Sequence, residues 1–192
     1  PPRVRAHPVV RVGLKVSVWK GGADGAFREF DVPRQPSQTV LDVVTYIQRA
    51  LDPTLAYRYA CRVGMCGSCA MTVNGVPRWT CRTHVDRVLK DDAFAVGPLK
   101  NLPVVRDLVT DMREFFDKWA RAKGQFAPSR SKQDDFQQVK PSSPGRVMVD
   151  AGIECIGCGV CYSACDVVAW NPDYLGPAAL NRAWTLVQDE RD

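Results

Sequence analysis

Between residues 10 and 18 the chain alternates. Val10, Val12, Leu14, Val16 and Val18 are apolar, with Arg11, Gly13, Lys15 and Ser17 between them. A period of two sets one face of a strand toward a core and the other toward solvent. GGADG (21–25) is a turn, and AFREFDV (26–32) reads as the returning strand, broken by Pro33 and Pro36. The period then changes. Val40, Val43, Val44, Ile47 and Leu51 form one stripe at helical spacing, Thr39 and Asp42 make the S/T-x-x-D/E start pattern, and Pro53 ends the run. AMTV-NG-VPRWT (70–80) predicts a second hairpin, because Asn-Gly favours a two-residue turn with positive φ at both positions. With Val73 and Val76 flanking that turn, Cys69 faces Thr80 and Cys81 faces Ser68. Cys81 thus returns to within about 5 Å of the strand carrying Cys69.

FAV (94–96) reads as a closing strand. From Pro103 onward, Val105, Leu108, Val109, Met112, Phe115, Phe116 and Trp119 recur at steps of three and four. They predict one long helix whose apolar face packs the halves of the molecule together. Residues 124–146 are polar and rich in Pro and Ser, which predicts an exposed connection. A last helix is expected from about Pro177, with Leu180, Ala183, Trp184 and Val187 as its buried stripe.

With 192 residues, 45% of them apolar and 24% charged, the chain has the make-up of a globular protein of one large or two small domains. Its net charge of +5 is mild and the basic residues are scattered, apart from Arg3, Arg5, Arg11, Lys15 and Lys20. No nucleic-acid partner is therefore expected. No stretch approaches the roughly 18–20 apolar residues of a membrane-spanning helix. PPRVRAHP at the start lacks the apolar segment of a signal peptide, so export is not expected. A chain that starts at Pro1 and ends at QDERD, just after an apolar helical face, reads as the ordered part of something longer.

The eight cysteines change the picture. They fall in two tight groups, 61–81 and 155–165, and such clustering points to metal rather than a disulfide framework. Cys61-x4-Cys66-x2-Cys69-x11-Cys81 has the C-x4-C-x2-C spacing of plant-type [2Fe–2S] ferredoxins plus a distant fourth cysteine. Two sulfide-bridged irons need two thiolates each. Gly64 and Gly67 allow the backbone to wrap closely and bring N–H groups toward sulfur. The alternative is a zinc site of four cysteines, although only Cys66 and Cys69 have the C-x2-C spacing of a zinc knuckle. His84, soon after Cys81, reads as an ordinary polar residue, because a Rieske centre needs two histidines.

Cys155-x2-Cys158-x2-Cys161-x3-Cys165 is the bacterial-ferredoxin run, in which the fourth cysteine ligates a different cluster. On that reading three thiolates serve a [4Fe–4S] cluster and Cys165 serves a neighbour, with the remaining ligands beyond Asp192 or on another chain. One cluster holding all four is the alternative.

Taken together and in this order, YACRVGMCGSCAM, NG and Cys81, LPVVRDLVTDM, CIGCGVC, and Trp170-Asn171-Pro172 followed by LGPAAL resemble the iron–sulfur subunit of the succinate dehydrogenase/fumarate reductase family (respiratory complex II) along nearly the whole chain. The resemblance implies an α+β fold. An N-terminal β-grasp, plant-type ferredoxin-like domain (8–100) would carry [2Fe–2S] on Cys61, Cys66, Cys69 and Cys81. An α-helical, bacterial-ferredoxin-like domain (101–192), expected to continue past Asp192, would follow it. There Cys155, Cys158 and Cys161 would hold [4Fe–4S], and Cys165 would serve a [3Fe–4S] cluster. Trp170 would lie at a quinone pocket; a core aromatic is the alternative at that position. The implied partners are an FAD-containing flavoprotein subunit and a membrane anchor of cytochrome b type, with or without haem, and quinone is the acceptor. The chain itself would be a relay that makes and breaks no substrate bonds. It would sit peripherally on the cytoplasmic face of a bacterial inner membrane or the matrix side of a mitochondrial one. Asp166 stands where the family usually has Pro, and Ala169 where an aromatic often precedes the tryptophan. Both fall where quinone and anchor would meet the subunit, so a soluble relay to a non-quinone acceptor stays open, as does a zinc-stabilised interaction module.

Overall fold

A computed structural model describes residues 13–192; Val10 and Val12 of the alternating run lie outside it. From Gly13 the alternation packs as its period requires. β1 (Gly13–Lys20) buries Leu14, Val16 and Val18 completely and pairs antiparallel with β2 (Ala26–Pro33), Leu14 standing opposite Val32. α1 (Val40–Tyr46) starts at Thr39. The Thr39 hydroxyl accepts the Asp42 N–H at 3.2 Å while the Asp42 carboxylate accepts the Thr39 N–H at 3.0 Å, a reciprocal cap. A π turn (Ile47–Leu51) carries the helix to Asp52. Val40, Val43, Val44 and Ile47 vanish into the core under the sheet, while Leu51 stays largely exposed.

β3 (Ala70–Val73) and β4 (Val76–Trp79) pair in the expected register, Val73 opposite Val76 and Ala70 opposite Trp79. Asn74 and Gly75 both take positive φ, 48° and 81°. Asn74 also ties the turn to the rest of the sheet. Its Nδ2 donates to the Val88 carbonyl at 2.6 Å, and its Oδ1 accepts the Ala95 N–H at 2.8 Å. Asn74→Ala strands both partners and keeps the positive φ, so a loss of about 1–3 kcal/mol is expected in a denaturant melt. A midpoint equal to that of the wild type would refute this tie.

β5 (Ala93–Gly97), read as the closing strand, completes the sheet from its centre. It runs parallel to β1 and antiparallel to β3, in the order β2-β1-β5-β3-β4.

The long helix expected from Pro103 does not form. A two-stranded ribbon, β6 (Val104–Arg106) and β7 (Val109–Thr110), takes its first half, and only α2 (Arg113–Arg121) is helical. The β-branched Val104, Val105, Val109 and Thr110 suit strands. The turn between them is set by Asp107, at φ 51°, whose interactions are tertiary. Its carboxylate accepts the N–H groups of Gly21 at 2.7 Å and Ala56 at 2.8 Å and pairs with Lys20 Nζ at 3.1 Å. Burial alone would raise the Asp107 carboxyl. The Ala56 and Gly21 N–H groups and Lys20 outweigh it and hold the group below the usual carboxylate range.

Residues 124–143 form no helix or strand and are largely exposed, as expected. Beyond them come α3 (Pro144–Val149), a 3-10 turn (Gly152–Glu154), α4 (Val160–Ser163), α5 (Asp166–Trp170) and α6 (Pro177–Val187). A second core gathers Phe115, Tyr162, Val168 and Ala178 with Ala70, Leu99 and Leu102, so both ends of the chain contribute. The packing role expected of the apolar face therefore holds for Phe115, which meets Tyr162 edge-on at 5.5 Å.

The stripe expected on α6 is wrong. Leu180, Trp184 and Val187 are exposed, and Ala178, Ala179, Thr185 and Leu186 are buried. The cause is closeness. α6 lies against the 3-10 turn so tightly that a Cβ on Gly152 would meet Asn181 Oδ1 at 2.9 Å and Thr185 Cγ2 at 3.0 Å. Asn181 Nδ2 also donates to the Gly152 carbonyl at 2.9 Å. Small and polar residues fit that contact, and the large apolar ones turn outward.

Candidate metal centre

The first cysteine loop is strung between α1 and β3. Its inner end is fixed by the second hairpin. Thr80 donates both its N–H, at 3.3 Å, and its hydroxyl, at 2.8 Å, to the Cys69 carbonyl. Cys81 follows in a 3-10 turn (Thr80–Arg82). The turn is held to α1 by the Val40 N–H on the Thr83 carbonyl at 2.9 Å. Cys69 and Cys81 are thus buried beside Leu41, while Cys61 and Cys66 lie half-buried in the loop above. His84 is exposed, its backbone bridged to Thr39.

N–H groups point at sulfur throughout the loop. Met65 and Val63 donate to Cys61 Sγ at 3.2 and 3.4 Å, and Cys61 donates to Cys66 Sγ at 3.5 Å. Gly64, at φ 80°, permits the wrap. The Cys61 N–H and the Ser68 hydroxyl lower the Cys66 thiol to about 6. At the buried floor, desolvation and the neighbouring Cys69 raise the Cys81 thiol to about 11. Without metal the loop side favours a thiolate and the floor a thiol, and a bound cation would have to displace the proton. Among the described residues, no three His, Cys, Asp or Glu side chains converge at single-ion spacing. The donor chemistry fits an iron–sulfur group: three thiols on one wrapped loop and a fourth brought back by the hairpin, with amide hydrogen bonds to sulfur that such a group requires.

The second group is built on glycines and one asparagine. Gly157 and Gly159 take positive φ, 63° and 76°, on either side of Cys158, so the chain coils before entering α4 with Cys161. Although the Cys161 residue is exposed at the surface, desolvation of its thiol, then the charges of Cys158 and Cys155, push that thiol up. Cys165 lies at the start of α5 and packs on the second core beside Met112, Trp119 and Tyr174. Asn101, at φ 61°, holds this run from below. Its Nδ2 faces the carbonyls of Tyr162 at 3.1 Å, Cys165 at 3.0 Å and Ser163 at 3.4 Å. Beside it, the Lys100 N–H donates to Ser163 Oγ at 2.7 Å. Behind α4, Lys118 Nζ lies buried between Tyr162 Oη at 3.0 Å and Glu114 at 2.9 Å.

The fold brings the two groups together. Gly67 is buried, and a Cβ there would stand 2.5 Å from Cys158 Cβ and 2.9 Å from its Cα. Cys66, Gly67, Ser68, Gly157 and Cys158 line one cavity of about 190 Å³ together with Met112 and Phe116. The spacing within each group was legible in the sequence, but this meeting was not, nor was the grip of Asn101. No local signal marks a glycine whose neighbour lies 91 positions away. Trp170 is 80% exposed at the end of α5 and is no core aromatic; Val167, Asp166 and Ala169 are exposed around it.

The chain is similar to known proteins. Residues 14–117 match the 2Fe-2S iron-sulfur cluster binding domain family. A fumarate reductase iron-sulfur subunit from Mycobacterium tuberculosis is 35% identical over 197 residues, covering 95% of this chain and 74% of that protein. One from Escherichia coli O6:H1 is 36% identical over 166 residues, covering 85% and 66%. The mitochondrial succinate dehydrogenase [ubiquinone] iron-sulfur subunit 1 of Oryza sativa subsp. japonica is 35% identical over 154 residues, covering 80% and 54%. Among solved structures, a chain of the Mycobacterium smegmatis Sdh1 complex in the apo form superposes with a TM-score of 0.84 at 29% identity, covering 95% of this chain and 77% of that one. The chain spans between about half and three quarters of the length of these relatives.

Proposed function

The chain belongs to the iron–sulfur subunit family of succinate dehydrogenase and fumarate reductase, and we propose that it is the electron relay of such a complex. In this reading it passes electrons one at a time between FAD on a flavoprotein subunit and quinone at a membrane anchor. Succinate or fumarate reacts on the flavoprotein, not here. The proposed division of work is between a β-grasp part (8–100) and a second part (101–192) whose helices follow the β6–β7 ribbon. Cys61, Cys66, Cys69 and Cys81 are the ligands of [2Fe–2S]. Cys155, Cys158 and Cys161 are three ligands of [4Fe–4S], and Cys165 is a ligand of [3Fe–4S]. When bound, such clusters supply one-electron steps whose potentials follow burial and hydrogen bonds to sulfur.

The observation that carries this reading is the contact of Gly67 with Cys158, which sets the two cysteine groups side by side. The chain's own residues then hold, shield and hydrogen-bond the sulfurs. The N–H groups of Val63 and Met65 on Cys61 stabilise added negative charge at the first group. Cys165 packs on the second core, and its place as fourth cysteine of the bacterial-ferredoxin run favours its service to a different cluster. The exposed Trp170, with Val167 beside it, suits a surface that meets a quinone pocket and an anchor. No helix among the described residues is long and apolar enough to cross a membrane, which agrees with a peripheral subunit. The proposed seat is the cytoplasmic or matrix face.

Iron and acid-labile sulfide per chain, measured on the purified complex, test the reading. About nine irons are expected with all three clusters loaded, in a brown protein with a rhombic EPR signal on reduction. A colourless protein carrying zinc would sink the relay and favour the interaction module.

A further inference from the structure

We infer that Gly67 is the positioning residue that sets the separation between the metal group on the first cysteine loop and the one on the second. This rests on the cluster assignment proposed above and goes beyond it. Gly67 directly follows the ligand Cys66, and its backbone is the surface on which Cys158 is seated. The 2.5 Å between a would-be Cβ and Cys158 Cβ is a distance that real side chains do not tolerate, and one of the opposing atoms is backbone. Any side chain at 67 must therefore move the Cys158 loop outward.

That loop cannot follow as a rigid body. Its other end is held by the Asn101 amide on the carbonyls of Tyr162 and Cys165, and by the Lys100 N–H on Ser163. Pushed at Cys158 and pinned after Cys161, the run must open between the two. Groups held by Cys66 and Cys158 would supply a one-electron step between them, in which one is oxidised and the other reduced, with no bond made or broken and no proton transferred. The rate of such a step falls steeply with separation, so the bare glycine is what keeps it fast.

Gly64 provides the control. It takes the same left-handed region, φ 80° against 69° at Gly67, and a Cβ there meets only the Arg82 side chain, Cγ at 2.9 Å. Gly64→Ala and Gly67→Ala thus impose the same kind of backbone strain on the first loop, but only the second reaches the other cysteine group. Both variants are made in the whole complex and compared by iron content and by EPR of the fully reduced state, where two nearby paramagnets broaden each other's signals. The expected result is loss or displacement of the second group's own signal in Gly67→Ala alone, with mutual broadening compared where iron analysis shows the first group retained. Gly64→Ala strains the first loop as well but should keep the second group's iron and signal. If the two variants affect the second group alike, whether both leave it intact or both abolish it, Gly67 has no positioning role. A wild-type complex with no second signal is a separate outcome: it sinks the assignment of the second cysteine group, and this inference with it.

Discussion

Cys81→Ala is expected to cost the protein both irons of the first group, about two per chain, with loss of the [2Fe–2S] EPR signal and the visible absorbance that goes with it. The sequence separates Cys81 from the other three by eleven residues, and only the hairpin at Asn74-Gly75 brings it back beside Cys69. With the fourth thiolate gone, one iron is left with a single protein ligand. The fold around the site should survive, because the turn is held by Thr80 on the Cys69 carbonyl and Thr83 on Val40, not by the Cys81 thiol. Far-UV circular dichroism should therefore match the wild type while iron analysis falls. Retention of both irons would show that Cys81 is no ligand and would return the loop to a three-cysteine arrangement.

The second large effect is on stability. Asp107→Ala is expected to destabilise the protein by about 3–5 kcal/mol, a large share of the 5–15 kcal/mol typical of a folded domain. The substitution leaves the largely buried Lys20 with Asp52, at 3.0 Å, as its one charged partner beside the Thr54 hydroxyl at 3.2 Å, and it strands the N–H groups of Gly21 and Ala56. The pH dependence has a definite sign. The folded carboxyl lies below its unfolded value near 3.9, so its contribution is complete above that value. It is lost as pH falls through the lower, folded value. Acid unfolding of the wild type should show this slope, and Asp107→Ala should lack it. Replacing both partners with apolar residues, Asp107→Leu with Lys20→Met, should cost less than Asp107→Ala alone, since the buried Lys20 ammonium goes with its partner and Asp52 keeps its Thr54 hydrogen bonds. Equal losses in the single and double variants would mean that the N–H bonds, not the ion pair, hold the ribbon.

Local chemistry was readable wherever it acted over a few residues. The reciprocal cap of Thr39 and Asp42, the Asn-Gly turn with its register, and the alternation from Gly13 all specify their elements without help from the rest of the chain. So does the C-x4-C-x2-C loop. The misreadings share a different cause. From Pro103 to Trp119 the apolar residues happen to recur at helical steps. What makes Val104–Thr110 a ribbon is Asp107 reaching Lys20, Gly21 and Ala56, which no window of eighteen residues contains. On α6 the apolar stripe is real, but the approach of the Gly152 backbone selects the small face for burial. At the metal centre, Gly67 was legible as a flexible link in a wrapped loop. That it also makes room for Cys158 is a fact of the assembled fold alone.

The central place of β5 has a consequence for how the protein is made. β1, β3 and every cysteine of the first group are synthesised before Ala93 emerges, yet β1 and β3 are joined only through β5. Until that strand threads between them, the nascent chain carries two separate hairpins and four reactive sulfurs with no shared core beneath. Folding of this half therefore waits on a non-local step, and such steps are slow. Translation at 5–20 residues per second leaves those thiols unsheltered for about a second or more after Cys81 is added. Metal delivered before that closure meets a disordered set of cysteines open to oxidation, and metal delivered after it meets a finished pocket. Insertion should accordingly be a late event, and slowing the entry of β5 should show itself as iron-free, oxidised chain rather than as a misloaded centre.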